Sequence, residues 1–285
     1  MARGNMVIML GMVTSKPFLQ LNSEGEFKTG RITLLTMRRS GLNNQQRLAG
    51  AARADEQLVM SRDSYLIEHK MADLEEKDFV LIKGSLSTRE VPKKVRCPEC
   101  GEVNIQPMGV IVYVDPLTIT KIGSAEGMST DELTKYLIKN AEFSNYIACF
   151  GTLVREPRYA PDYGVTNRRE CNIQVALNRK RLIVEDGPDK KTDYPYIRAF
   201  GKIAEESAKV LHTGSEIYVE GAIEARTVTL TKICPNCSCE FEADTKAVEI
   251  VPYSMEYISS DIDTSLLVEE DTDNTEQEET EDSEE

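Results

Sequence analysis

The chain repeats itself. Asn5-Met-Val-Ile-Met-Leu-Gly11 returns as Asn145-Tyr-Ile-Ala-Cys-Phe-Gly151, at an offset of 140 residues. Leu81–Arg89 returns as Tyr218–Arg226, and Cys97-Pro-Glu-Cys100 as Cys234-Pro-Asn-Cys237, both at an offset of 137. Three anchors in one order make an internal duplication, and each copy has a usual domain size of about 120 residues. A length of 285 residues leaves room for two such units and little more.

Each copy reads as five short strands. In the first, Val7–Met12, Arg31–Met37, Ser64–Glu68, Phe79–Ser87 and Gly109–Val114 are rich in Val, Ile, Leu, Thr and Tyr. The counterparts are Tyr146–Leu153, Asn172–Leu177, Tyr194–Phe200, Glu216–Ala222 and Ala247–Pro252. Between the third and fourth strands of the second copy, Ile203, Ala204, Ala208 and Leu211 are spaced for one buried helix face, and His212-Thr213-Gly214 ends the run. A shorter helix is expected around Met71–Glu76 in the first copy. Five strands with a helix between the third and fourth is the layout of the OB-fold barrel. The expected architecture is all-β: two tandem OB-fold barrels over residues 1–124 and 142–260, joined by residues 125–141. Ser129 and Glu132 form a capping-box pattern that opens a helix to about Ala141, either a connector or the edge of one barrel.

The net charge of −14 is unevenly placed. Residues 261–285 hold 13 acidic residues and no Lys or Arg, leaving 35 acidic against 34 basic residues in 1–260. The body is neutral and can present a basic face to a polyanion, while a tail of that composition is expected to be disordered. No apolar run approaches the length of a spanning helix, so a cytoplasmic protein is expected. Its seven cysteines then read as thiols or metal ligands. Two histidines and no tryptophan argue against His-based catalysis, and no Gly-rich phosphate loop, nucleophile motif or carboxylate pair marks an enzyme.

The second copy resembles the bacterial single-stranded DNA-binding protein family. The resemblance rests on Asn145–Gly151, Arg155-Glu-Pro-Arg-Tyr159, Asn172–Leu177, Phe200-Gly-Lys-Ile-Ala-Glu205 and Gly214–Arg226. The first copy keeps the opening and the Gly84 strand, but has Glu68-His-Lys-Met-Ala-Asp73 where the second has Phe200–Glu205. By the resemblance, Tyr194 and Phe200 fall where aromatic side chains stack on bases, contacts that contribute roughly 1–3 kcal/mol each. Two further stacking positions fall on Arg181 and Val228, so Tyr159, Tyr163 and Tyr196 are candidate substitutes. Six positions separate Tyr194 from Phe200, so strand alternation puts both on one face, core or groove.

Phosphates need cations. Arg155, Arg158, Arg179, Lys180, Arg181, Arg198 and Lys202 flank the strands of the second copy. Arg38 and Arg39, before a long loop over Ser40–Arg62, repeat the placement of Arg179-Lys180-Arg181 before the loop Leu182–Asp193. The two CxxC pairs have the form of zinc knuckles. Each copy supplies two ligands, so the economical site is one structural zinc per chain, shared by Cys97, Cys100, Cys234 and Cys237. Donation by two subunits, Cys239 as a third ligand in the second copy, or no metal stay open. Cys149 and Cys171, among apolar neighbours, read as core thiols.

These features point to a protein that coats and protects single-stranded DNA in replication, recombination or repair, without chemistry of its own. A zinc-containing RNA-binding protein, and an assembly hub whose first barrel no longer binds nucleic acid, are the rival readings. The resemblance implies four barrels per assembly, hence a homodimer here. It also implies that replication or recombination proteins dock on the acidic tail, although Glu281-Asp-Ser-Glu-Glu285 lacks the family's apolar tip. The setting is the nucleoid, or the host cytoplasm for a viral chain.

Overall fold

The computed structural model describes residues 4–39, 52–163, 168–178 and 192–259. The first copy contains β1 (Asn5–Val13), β2 (Phe18–Leu21), β3 (Phe27–Arg39), β4 (Ala52–Ser61), β5 (Asp78–Arg96) and β6 (Val103–Ser124). The second contains β7 (Tyr146–Leu153), β8 (Arg158–Tyr163), β9 (Arg168–Asn178), β10 (Thr192–Asp193), β11 (Tyr196–Phe200), β12 (Glu216–Ile233) and β13 (Glu240–Ser259). Pairing runs β1–β3–β4–β6–β5 and back to β1, which closes a barrel. The second closes in the same way, β7–β9–β11–β13–β12–β7. Each ring contains one parallel contact, Val59 opposite Val114 and Ile197 opposite Ile250. These are two OB-fold barrels.

Alternation fills them. Val7 and Met9, Ile32 and Leu34, Ile173, Val175 and Leu177, and Ile217 and Val219 all face inward and are buried. Cys149 and Cys171 lie in the same core, where burial pushes their thiols up to about 12 and about 11. The core is one contiguous cluster through both barrels. It is continuous because β1 pairs antiparallel with β7, from Asn5 opposite Cys149 to Ile8 opposite Tyr146.

The two asparagines that open the repeat have a shared task. Asn5 Nδ2 donates to Leu86 O and Asn5 Oδ1 accepts from Leu86 N, both at 2.9 Å. Asn145 does the same to Ile223, at 2.7 and 2.9 Å. Each side-chain amide stands in for a backbone rung, so its strand stays attached inside its own barrel while the other edge joins the partner barrel. Gly84 and Gly221 mark register shifts one step away. A Cβ there would lie 2.3 Å from Asp115 O or Val251 O, so only glycine fits.

The structure corrects three expectations. Ser64–Glu68 is not a strand: Asp63 Oδ1 accepts from Leu66 N at 3.1 Å and caps a helical turn, Ser64–Leu66, that continues as a π-helix over Ile67–Met71. The helix expected at Met71–Glu76 is this one, placed earlier. The missing third strand is β4, inside the stretch expected to be loop. Finally, β5–β6 and β12–β13 are far longer than expected. Their ladders run on to Arg96 opposite Val103 and Ile233 opposite Glu240, forming two hairpin arms that end at the CxxC turns. The connecting helix is Thr130–Lys139, with the Ser129–Glu132 capping box formed. It packs on the first barrel, where the Tyr136 and Phe79 ring centroids are 4.5 Å apart.

Candidate nucleic-acid interface and thiol cluster

Strand β11 sorts its side chains by parity. Ile197 and Ala199 enter the core, so Tyr196, Arg198 and Phe200 take the outer face; Tyr194, 50% exposed, lies before the strand, which begins at Tyr196 and not at Tyr194 as expected. The row lies against Gln174, Asn172 and Glu170 of β9, and Arg158 on β8 stands opposite Asn172. Two guanidinium groups lie over rings of this face: Arg155 is 5.7 Å from the Tyr196 centroid and Arg198 is 4.9 Å from that of Phe200. Tyr159, Arg155 and Arg158 are exposed nearby in sequence. Lys202 is exposed and pairs with Glu206 at 3.6 Å, one helical turn on. Exposed rings and cations on one curved β surface suit a polyanion with unstacked bases.

Arg38 and Arg198 depart from the role expected of them. Both are buried and held by carboxylates: Arg38 reaches Glu224 across the seam between the barrels, whereas Arg198 meets Glu224 and Glu249 within its own barrel. Arg38 Nε contacts Asp55 Oδ2 at 2.7 Å and Arg38 Nη2 contacts Glu224 Oε1 at 2.6 Å. Arg198 Nη2 takes the other oxygen of Glu224 at 2.6 Å, and its Nε lies 3.2 Å from Glu249 Oε2. Burial alone would raise Glu224, but the two guanidinium groups overcome it and hold the carboxyl below its ordinary range. For Asp55 burial wins against Arg38, and its pKa is raised. These charges neutralise one another within the protein, whereas among the described candidates of the second barrel Arg155, Arg158 and Lys202 are exposed. The Arg39 side chain and all of Arg179, Lys180 and Arg181 lie outside the described residues, as does the tail from residue 260.

Glu224, Asp55 and Asp193 were not anticipated. Asp193 Oδ1 accepts from Thr88 N at 2.6 Å and from Thr88 Oγ1 at 2.8 Å. Asp55 Oδ1 accepts from Ala225 N at 3.1 Å. Thr88 and Ala225 are repeat equivalents, and the two aspartates are 138 residues apart. Each barrel therefore grips the root of the other's arm. The shared Asp was the available signal, legible only once the offset between the third strands is known. The first barrel also has an exposed ring that was missed, Phe18, with Arg31 at 5.5 Å.

At the far end of the arms the two turns meet. The Sγ atoms of Cys97, Cys100, Cys234 and Cys237 all lie within 4.8 Å of one another. Cys97 and Cys237 are 3.7 Å apart, and Cys100 and Cys234 are 3.8 Å apart. A tetrahedron with metal–sulfur bonds of about 2.3 Å has edges of about 3.8 Å, so these cross-arm distances fit a site of four thiolates. Both turns are built alike: Gly101 N donates to Cys97 O at 3.0 Å and Ser238 N to Cys234 O at 2.8 Å. Gly101 and Ser238 both have positive φ, at 70° and 58°. The backbone N–H of Cys100 leads the contacts that hold the Cys97 thiol below its ordinary value.

Two closed OB-fold barrels joined edge to edge, with an aromatic and cationic face, define the class of this molecule. Residues 144–232 match the single-strand binding protein family. The structure is similar to that of the wild-type single-stranded DNA binding protein from Thermus aquaticus, with a TM-score of 0.58 and 16% identity over 90% of this chain and 95% of that one. A deletion mutant of the same Thermus protein gives 0.54 and 16%, covering 92% and 98%. That likeness is one of fold, and it spans both barrels.

Proposed function

We propose that the chain binds and coats single-stranded DNA, without chemistry of its own, and that the outer face of β11 is where bases stack. The observation that carries this is the pair Tyr196 and Phe200 on the outer face of β11, with exposed Tyr194 just before it and the Arg155 guanidinium over the Tyr196 ring, within residues that match the single-strand binding protein family. Base–ring stacking tolerates any sequence, as a coating protein requires. Arg155 and Arg158 serve the phosphates, joined by Arg179, Lys180 and Arg181 from sequence. One zinc per chain, held by Cys97, Cys100, Cys234 and Cys237, ties the arms together as a structural clasp. Four sulfurs leave no open coordination position, which suits structure rather than catalysis.

Titration with labelled dT oligomers tests the reading. Log K should fall linearly with log salt, by about 0.7 for each phosphate neutralised. Tyr194→Ala should cost roughly 1–3 kcal/mol of binding while leaving the melting temperature in place, because the ring is exposed. Affinity indifferent to salt, or unaffected by loss of both Tyr194 and Phe200, would remove the proposed face. Preference for rU over dT would redirect the proposal to RNA. Metal analysis of protein purified without chelator should give one zinc per chain.

A further inference from the structure

The thiol cluster has one member too many. Cys239 Sγ lies 3.2 Å from Cys97 Sγ and 3.3 Å from Cys237 Sγ, nearer to each than the two are to one another. Both distances fall well short of the roughly 3.8 Å edge of a tetrahedral thiolate site, so Cys239 cannot be a ligand beside both neighbours. It belongs to one arm only. In the first copy the equivalent position, defined by the bond from Cys97 N to Glu102 O and its counterpart from Cys234 N to Cys239 O, is Glu102. The symmetry of the repeat supplies four sulfurs, and the second copy adds a fifth. Cys239 is half-buried and Cys237 exposed, so solutes reach this edge of the cluster, whereas Cys97 is buried.

We infer that Cys239 is a peroxide-sensitive modification site, paired with Cys97, which replaces the metal clasp by a covalent one. This rests on the zinc reading only for its second half. The chemistry balances with hydrogen peroxide as oxidant. The Cys239 sulfur attacks one peroxide oxygen, the O–O bond breaks, and a sulfenic acid and water result. The Cys97 sulfur then displaces hydroxide from that sulfenic sulfur, forming the S–S bond. Two thiols lose two electrons in all, and one peroxide becomes two waters. The partner is Cys97 rather than Cys237 because Cys97 stands on the opposite arm. Cys237 and Cys239 are separated by one residue, where a closed ring departs from relaxed disulfide geometry. Once Cys97 is consumed, three thiolates of the tetrad remain and the metal is held less tightly. The arms nevertheless stay joined, now by a bond that bridges Cys97 and Cys239.

The test treats the full-length protein, purified with its metal, with hydrogen peroxide. Zinc release is followed by a chromophoric chelator, and cross-links are mapped by mass spectrometry of non-reduced peptides. Wild-type protein should yield one Cys97–Cys239 cross-link per chain with concurrent zinc release. Cys239→Ser should keep its zinc, with release slowed about tenfold or more and no cross-link at Cys97. Equal release from Cys239→Ser, or a Cys237–Cys239 linkage in the wild type, would overturn the inference. If the purified chain contains no metal, the zinc reading fails by itself, and the cross-link map still decides this one.

Discussion

A guanidinium group costs too much to bury unpaired, so a buried arginine reveals its partners. Arg38 and Arg198 share the single carboxylate of Glu224, one from each barrel. Nothing local in the sequence signals this, because Arg38 and Glu224 are 186 positions apart and meet only through the joint between the barrels. By contrast, the common face of Tyr196 and Phe200 follows from alternation within one strand, although that strand begins two residues later than the expected Tyr194. The shared carboxylate leads to a prediction about pH. Glu224→Gln leaves two buried cations short of a countercharge and should destabilise the fold by roughly 3 kcal/mol at neutral pH. Glu224 in the folded state titrates below its ordinary 4.5. Its stabilisation is therefore fully present above pH 4.5 and lost as pH falls through the lower folded value. Denaturant melts of wild type and variant should differ by a constant amount at higher pH and converge in acid. A gap that widens on acidification would contradict the assignment.

The arms show why an element can need supports at both ends. A two-stranded hairpin is marginal in water, and Thr227, Thr229, Leu230 and Thr231 of β12 are exposed on an arm that reaches beyond its barrel. Asp55 and Asp193 hold the roots, and the thiol cluster holds the tips. The meeting of the two CxxC turns was readable from their repeated spacing, because equivalent positions of a duplicated hairpin come together when the repeats pair. The length of the arms was not, since Thr- and Lys-rich strands without a buried face lack the apolar alternation that marks a strand. The segment Ser64–Glu68 failed in the opposite sense: its Tyr, Leu and Ile look like a strand, and the Asp63 cap that decides for helix is one side-chain bond. If the clasp bears the load, chelation under reducing conditions should raise amide hydrogen exchange in 227–233 and 241–246 by on the order of a hundredfold. Exchange at Ile173 and Ile197 should not change. Arm protection that survives complete metal removal would mean the roots suffice.

Across the whole molecule, the duplicated barrels share one apolar cluster and bonds that run in both directions. The repeat kept what the joint needs: Asn5 and Asn145 free one edge of β1 and β7 to pair, and Asp55 and Asp193 each capture the other copy's arm. The family match covers residues 144–232, yet the first barrel closes with the same strand order. That ring is dictated by inward alternation, a glycine at the bulge and the Asn rung, all of which the first copy retains while the Phe200–Glu205 string is absent. Independent barrels on a linker would unfold separately. Here the apolar core is continuous and the latches run in both directions, so opening either barrel exposes the joint of the other. Calorimetry should accordingly give one transition with equal calorimetric and van't Hoff enthalpies. Asp193→Ala, which strands the Thr88 N–H, should cost about 2 kcal/mol. It should lower that single midpoint by roughly 2–4 °C per kcal/mol and not split it. Two resolved transitions in the wild type would show that the barrels fold apart and that the latches align them without coupling them.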